Sequence, residues 1–350
     1  MVSFLQQPDL PLAMPLFLLI FSILALVPLI HAWRAARSDD AAGAAPVLRA
    51  GVSSFDFSAN TFRRQVLIDG ATRRALSVSL FEYIRVPIEQ LNWQAARRPL
   101  ISSIGLRLRE AIRCGPPLFV HSNLRVDHGS RFNALLATGT IHLGPQCEIH
   151  QWAHADGVLQ LGSHGIGLRR LSSNIAVELD TGCLFERISA PTVRFGQQPM
   201  AAAAVRTPPR ADLADLPRSR RSGMSRYHID GDCRLLPDRL YAGSLTVSGD
   251  LMIGDGTVVL GDMKAQGSIS VGRNARIGGA LACVGEIEVR QGAWVHGPIV
   301  TETSVVLATG TRVGIPKKRT GINAATIIAE TGATVHGTVL AREAGLVWQA

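Results

Sequence analysis

An 18-residue period runs through the chain from Leu245 onward, and it restricts the fold more than any other feature. Apolar residues recur at four positions of this period, and a glycine recurs at a fifth. The apolar ladders are Leu245, Met263, Leu281 and Ile299; Leu251, Ile269, Ile287 and Val305; Ile253, Val271, Val289 and Leu307; and Val259, Ile277, Val295 and Val313, beside the glycines Gly243, Gly261, Gly279 and Gly297. A fixed period of this size is typical of a solenoid, in which each coil buries its apolar face only against its neighbours.

Within each coil the apolar residues alternate with polar ones, as in the segment Ser268-Ile269-Ser270-Val271. Alternation with a period of two residues is typical of a β-strand, and glycine suits the corners between strands. The sequence therefore predicts an all-β fold, a β-helix (β-solenoid) with about 18 residues per coil.

The same period appears in weaker form before residue 200. Alternating apolar pairs spaced by 17, 18, 18 and 16 residues predict a first solenoid-like run over residues 117–197; they are Leu124/Val126, Ile141/Leu143, Leu159/Leu161, Val177/Leu179 and Val193/Phe195. Residues 198–226, rich in Pro, Ala and Arg, predict a linker or loop, and the second run covers residues 227–345. Residues 34–116 are expected to form a less regular juxtamembrane region, with short helices over Phe81–Ala96 and Ile104–Ile112.

Residues 12–33 contain no Lys, Arg, Asp or Glu and are long enough to cross a bilayer. A cleaved signal peptide needs a positive N-terminal region, but residues 1–11 contain no Lys or Arg. We therefore expect one transmembrane helix over residues 12–33, after a short extracytoplasmic tail of residues 1–11. Arg34 and Arg37 follow the span directly, which places the main domain in the cytoplasm and lets both residues contact anionic lipid.

The net charge of +9 comes mainly from arginine, and the chain has only three tyrosines. Basic stripes without interleaved aromatic residues are weak evidence for nucleic acid, so anionic lipid is the expected partner of this charge. The five cysteines are far apart and form no C-x-x-C pair, so neither a zinc site nor a redox motif is indicated. This usage fits a reducing compartment.

The catalytic signatures of several enzyme classes are missing from the sequence, including a phosphate-binding loop and a nucleophile elbow. Histidine could still act as the general base of a hexapeptide acyltransferase, with His296 and His336 in Val-His-Gly segments as the first choices and His121, His128, His150 and His154 as weaker ones. Neighbouring coils place Leu260 and Gly278 at the same position, so we interpret it as a variable surface position. The Gly254-Asp255-Gly256 segment is expected to form a corner rather than a calcium site. We predict no catalytic, cofactor or metal residues.

The second run resembles the bactofilin family of polymer-forming cytoskeletal proteins over residues 227–342. Three segments carry the likeness: SGDLMIGDGTVVLGDMKA from Ser248, ISVGRNARIGGALA from Ile269, and IEVRQGAWVHGPIV from Ile287. The resemblance implies a right-handed β-helix that polymerises end to end without a nucleotide at the cytoplasmic face of the bacterial inner membrane. The chain departs from the family pattern in its membrane span, its extra solenoid-like run and its basic insertions.

Three functional hypotheses follow. The first is a membrane-anchored scaffold, not an enzyme, that self-associates through solenoid ends and organises cell-shape or envelope-assembly proteins. The apolar residues Leu346, Val347 and Trp348 would then cap one end or form the contact between copies. The second is a left-handed β-helix acyltransferase acting on sugar or lipid-linked envelope precursors. The third is a non-enzymatic accessory of polysaccharide synthesis or export.

Overall fold

The computed structural model describes residues 59–66, 81–85, 90–196 and 208–349, all within one compact unit, Leu48–Ala350. These residues form a β-solenoid of about 14 turns. The all-β fold predicted from the 18-residue period is confirmed. The predicted tail, the transmembrane helix over residues 12–33, and Arg34 and Arg37 lie outside the described residues. Within the described ranges, no helix is both long enough and apolar enough to cross a membrane.

The first run contains a helix, α1, over residues 59–66, followed by fourteen strands. The strands are β1 (Glu82–Tyr83), β2 (Leu100–Ser102), β3 (Leu106–Leu108), β4 (Arg113–Cys114), β5 (Leu118–Val120), β6 (Leu124–Val126), β7 (Arg131–Ala137), β8 (Ile141–Leu143), β9 (Glu148–Ala155), β10 (Leu159–Leu161), β11 (Ile166–Gly167), β12 (Arg170–Ser173), β13 (Ala176–Leu179) and β14 (Leu184–Phe195).

The second run contains a short 3-10 helix, Leu213–Asp215, and nineteen strands within the described ranges. They are β15 (Arg210–Ala211), β16 (Ser219–Arg221), β17 (Arg226–Ile229), β18 (Cys233–Leu235), β19 (Leu240–Tyr241), β20 (Ser244–Val247), β21 (Leu251–Ile253), β22 (Val258–Val259), β23 (Met263–Ala265), β24 (Ile269–Val271), β25 (Arg276–Ile277), β26 (Leu281–Cys283), β27 (Ile287–Val289), β28 (Trp294–Val295), β29 (Ile299–Thr301), β30 (Ser304–Leu307), β31 (Arg312–Val313), β32 (Thr320–Glu330) and β33 (Thr334–Trp348).

The predicted ladders are the stacked core of the second run. Each ladder strand pairs in parallel with the strand one coil later, so that Leu245 lies opposite Met263, and Met263 opposite Leu281. The residues of all four ladders are buried. Alternate residues point outward. Each regular coil has three strands, so the solenoid has three sides, each built from one strand per coil. The apolar pairs of the first run stack in the same way, as Leu159 does between Ile141 and Val177.

The solenoid begins earlier than the boundary predicted at residue 117. Strands β2 and β3 already pair with β5 and β6, with Leu106 opposite Leu124. The helix predicted over Ile104–Ile112 is therefore wrong. In this segment the apolar residues Ile104, Leu108 and Ile112 are four residues apart, a spacing that fits both a helix and a coil with two short strands. Pairing with strands of the next coil selects the strands. The helix predicted over Phe81–Ala96 is wrong in its described part, which contains β1 and turns.

Part of the predicted linker over residues 198–226 is also folded. Strand β15 pairs with β19, β16 pairs antiparallel with β17, and Leu213 of the 3-10 helix between them is buried in the core. The basic insertion Pro316–Gly321 is an exposed turn followed by the start of β32, as predicted for an exposed corner loop.

The two runs join at their C-terminal coils. Strand β33 pairs in parallel with β32 on one edge and antiparallel with β14 on the other. Two solenoids that meet tail to tail have antiparallel strands at the junction only if they have the same hand, because reversing the axis of a coil reverses its strand direction and keeps its handedness. The chain thus forms one continuous stack, in which the coils of the second run follow one another toward the last coil of the first run.

Candidate functional site

The tail-to-tail junction lies where the sequence predicted a free end. Leu346 lies opposite Leu184 of β14 and Ile328 of β32, and Val347 is fully buried. The backbone of this segment is therefore paired on both edges within the chain. Leu346, Val347 and Trp348 therefore do not cap an end of the solenoid, which corrects one of the two roles predicted for them, and the other role, a contact between copies, stays a prediction. Their side chains divide between the core and the surface, because Val347 points inward and Trp348 is 56% exposed.

The apolar core is covered at both outer ends of the stack. Trp93 is buried against the first coil of the first run, and Leu213 is buried against the first coil of the second run. A covered core reduces the apolar surface that an end-to-end contact between copies could bury.

An exposed apolar stripe crosses the junction on one side of the solenoid. Five outward positions of successive strands in the stack are apolar, at a spacing of about 4.8 Å; they are Val306, Ile328, Leu346, Leu184 and Ile166. Ile328 and Leu184 are about two-fifths exposed, and Trp348 lies two residues beyond Leu346 on the same outward face. We call these six residues the apolar stripe. Contiguous apolar side chains on a protein surface are typical of contact surfaces, so the stripe is a candidate contact surface.

A cleft of about 950 Å³ lies on a second side of the solenoid, also across the junction. One unbroken column of outward residues supplies much of its lining. In stacking order, the column contains His142, Gln160, Glu178 and Arg194 from the first run and Thr334, Arg312 and Trp294 from the second. The sequence places these two groups at least a hundred residues apart, and only the reversed stacking of the runs brings them together.

Hydrogen bonds fix the side chains of the first-run half of the cleft. The Nε2 of Gln160 donates to Glu178 at 2.7 Å, and the Oε1 of Gln160 lies 2.7 Å from the Nδ1 of His142. Arg194 donates to the other oxygen of Glu178. Because the Gln160 oxygen can only accept, the Nδ1 of His142 is the donor in this arrangement.

The second-run half of the cleft is aromatic and cationic. The indole Nε1 of Trp294 donates to the Gly314 carbonyl at 3.0 Å, and the His296 ring packs against the indole with centroids 4.3 Å apart. Arg312 lies next to Trp294 in the column. Gly314 has a φ of +78°, a backbone conformation that favours glycine. It begins the turn that brings Pro316 to the rim of the cleft.

His336 lies in this cleft, and its Nδ1 is 3.2 Å from the Thr192 hydroxyl. Burial lowers its pKa, a hydrogen bond involving the Pro191 backbone opposes this effect, and Arg194 and Arg312 lower the pKa further. The pKa of His296 is lowered by burial and then by Arg276 and Lys318. Both imidazoles are therefore held toward their neutral form, first by burial and then by positive neighbours. The hypothesis that either one is a general base stays a prediction.

Of the weaker histidine choices, His154 has the most organised surroundings. Its Nδ1 lies 2.8 Å from the Ser172 hydroxyl, and its Nε2 lies 3.4 Å from Asp156. Ser172 is one coil after His154, so the 18-residue period places them side by side. Both side chains are buried, and Asp156 also binds Arg63 of α1 and Asn174. The arrangement fastens α1 to the outside of the solenoid, where Phe62 packs on Phe119 and Trp152.

The five cysteines are free and buried, as Cys283 is in its ladder between Ala265 and Thr301. Burial raises the pKa of the Cys114 and Cys183 thiols to about 12. These thiols are therefore protonated at neutral pH and unreactive in the folded chain. The Gly254-Asp255-Gly256 segment forms a corner, where the Asp255 carboxylate accepts the Arg273 backbone N–H at 2.7 Å.

Neither the protein-family models, the curated proteins nor the solved structures contain a match to this chain. The likeness to the bactofilin family therefore stays a prediction drawn from the sequence of the second run.

Proposed function

We propose that this protein is a membrane-anchored, self-associating scaffold of the bactofilin kind at the cytoplasmic face of the bacterial inner membrane. In this role it organises proteins of cell shape or envelope assembly. The observation that carries the proposal is the apolar stripe, because a continuous β-solenoid with uncovered apolar side chains on one side is suited to contact another protein surface. A second copy of the chain is the partner that best fits it.

The position of the stripe favours a second copy. The stripe crosses the junction, where two runs of the same hand meet tail to tail. The strands on the two sides of the junction run in opposite directions, so the two halves of the stripe are approximately related by this reversal of strand direction. Two copies laid side by side can bring Leu184 of one copy against Ile328 of the other, and the reverse contact then forms as well. Such a self-complementary contact is typical of two-fold symmetric dimers.

End-to-end contacts, which the resemblance implies, add to the side-by-side contact in this proposal. Strand β18 pairs with β21, and no other described strand pairs with its outer edge. An open strand edge can receive a strand from another copy. The membrane span predicted over residues 12–33 raises the local concentration of the copies by confining them to one surface, which favours both contacts.

The test is sedimentation velocity of the full chain in detergent over a range of concentrations. We expect wild-type protein to form dimers or larger species as the concentration rises. The double substitution Leu184→Lys with Ile328→Lys places two charges in the stripe and should weaken association about tenfold or more, since each charge would have to be desolvated in the contact.

The matched control carries the same charge change at exposed apolar residues away from the stripe, Leu260→Lys with Val284→Lys. It should associate as the wild type does. A chain that stays monomeric at all concentrations, or a control that weakens association as much as the stripe variant, would refute self-association through this surface. Negative-stain images separate side-by-side pairs from end-to-end filaments.

A further inference from the structure

The cleft across the junction has the composition of a ligand site rather than of a contact between proteins. Its volume of about 950 Å³ falls at the upper end of the range typical of small-molecule sites. It is lined by one tryptophan, two histidines, two arginines, an amide, two carboxylates and two threonines, supplied by both runs. Most of these side chains already have a fixed orientation, because they hydrogen-bond to each other or to the backbone.

The cations of the cleft are grouped. Arg194 and Arg312 flank Thr334 in the column, so the two guanidinium groups belong to positions two strands apart, about 10 Å along the stack. Arg194 is paired with Glu178, while Arg312 has no carboxylate partner within the described ranges. Both arginines act on His336, whose pKa they lower. This part of the cleft is therefore positive and suited to a carboxylate or a phosphate group.

The rest of the cleft is suited to hydroxyl groups and to an apolar ring face. Gln160 and Glu178 provide amide and carboxylate groups whose unused hydrogen-bonding positions can receive sugar hydroxyls, and Asp180 adds a second carboxylate at the edge. Trp294 is held in place by its hydrogen bond to Gly314 and can pack against the C–H face of a ring. Nucleic acid fits this cleft less well, because proteins that bind single strands stack successive bases on several aromatic side chains, while the described lining of the cleft has one tryptophan and no tyrosine.

We propose that this cleft binds an acidic saccharide. Arg194 and Arg312 hold its carboxylate or phosphate group, Gln160 donates to and accepts from its hydroxyls, Glu178 accepts from them, and Trp294 packs against a sugar ring. This activity goes beyond the scaffold function and does not depend on self-association, since the cleft and the apolar stripe lie on different sides of the solenoid. Each can fail its test while the other passes.

The experiment is isothermal titration calorimetry, which measures the affinity of the full chain for each probe in a detergent that has no sugar headgroup. The probes are a galacturonic acid tetrasaccharide, the neutral galactose tetrasaccharide, glucose 1-phosphate, and an oligothymidylate of eight residues. We expect an acidic probe to bind about tenfold or more tightly than the neutral tetrasaccharide, which is the usual gain from one hydrogen-bonded ion pair. The tetrasaccharide and the sugar phosphate show whether a carboxylate or a phosphate is preferred.

Arg312→Gln should reduce affinity for the acidic probe about tenfold while leaving affinity for the neutral probe unchanged. The matched control is Arg107→Gln, an arginine at an outward position of the same column beyond His142 and outside the cleft. It should bind as the wild type does. If Arg312→Gln fails to fold, Gln160→Ala on the other run takes its place and should weaken both saccharides.

Three results would overturn the proposal. They are no binding of any saccharide, equal affinity for the acidic and neutral tetrasaccharides, and tighter binding of the oligothymidylate than of either acidic probe. An effect of Arg107→Gln equal to that of Arg312→Gln would also overturn it, because binding would then reflect the overall charge of this side.

Discussion

Side chains at the corners of the solenoid cap backbone groups of the next coil. The Asp232 carboxylate accepts the backbone N–H of Asp250, the Asp250 carboxylate accepts that of Ser268, and the Asp262 carboxylate accepts that of Ala280, at 2.7 to 2.9 Å. Each acceptor lies 18 residues before its donor. This explains why a short acidic residue follows glycine at these corners. A corner N–H has no strand partner, and a short side chain from the coil below can reach it.

Replacing one corner carboxylate tests this role. Asp262→Ala should lower the free energy of unfolding by about 1–3 kcal/mol, because the Ala280 N–H is left without its acceptor. Asp262→Asn retains a side-chain oxygen at the same place and should lose much less. Chemical denaturation at neutral pH, followed by circular dichroism, measures both. Equal losses in the two variants would show that the charge, and not the hydrogen bond, stabilises the corner.

The glycine ladder has a different cause. A Cβ at Gly261 would meet the backbone carbonyl of Gly243 in the coil before it. Gly261 does not adopt the left-handed backbone conformation. Glycine is required there because coils stacked at about 4.8 Å leave no room for a Cβ at this position. The recurrence of glycine at this position was therefore readable from sequence, but its reason appears only when two coils are stacked.

At the scale of elements, the junction strands are exceptional. Strand β33 has 15 residues, while most strands of the second run have two to four. It continues around the corners of its coil because it pairs with β32 on one edge and with β14 on the other, and the register of both pairings shifts along its length. Gly345 lies directly against the ring of Phe185, which fills the core at this point.

A side chain at Gly345 should open the junction. Gly345→Val forces the Phe185 ring to move and should destabilise the pairing of β14 with β33 by about 1–3 kcal/mol. Hydrogen exchange measured by mass spectrometry should then be about tenfold faster or more in these two strands. The control is Ala344→Val on the same strand, where the side chain is exposed. Unchanged exchange in Gly345→Val would show that the two runs are held together elsewhere.

For the whole molecule, the membrane span predicted over residues 12–33 is tested by the side of the membrane on which the solenoid lies. The predicted orientation, with Arg34 and Arg37 in the cytoplasm, requires that external protease added to spheroplasts leave the solenoid intact. Permeabilised spheroplasts are the control, in which the same protease should reach the exposed turn at Lys317, Lys318 and Arg319. Digestion of the solenoid in sealed spheroplasts would contradict a cytoplasmic main domain.

The architecture of a single coil follows from its local sequence. The 18-residue ladders predicted the strands, the buried residues and the corners of the second run, because each coil contacts only its neighbours and local repetition records those contacts. The weaker apolar pairs of the first run were sufficient to predict its coils for the same reason. Leu108 shows the limit of this evidence, since it lies four residues from both Ile104 and Ile112 and therefore also fits a helix until its partner in the next coil, Val126, is known.

The way in which the two runs meet is visible only in the folded chain. The repeat carries no record of direction between distant segments, because a coil buries its core equally well against a parallel or an antiparallel neighbour. The reversal at β14 and β33 is what places Glu178 and Arg194 beside Arg312 and Trp294, and Leu184 beside Leu346. The period therefore specified the surface of each run, while the candidate sites belong to the junction between them.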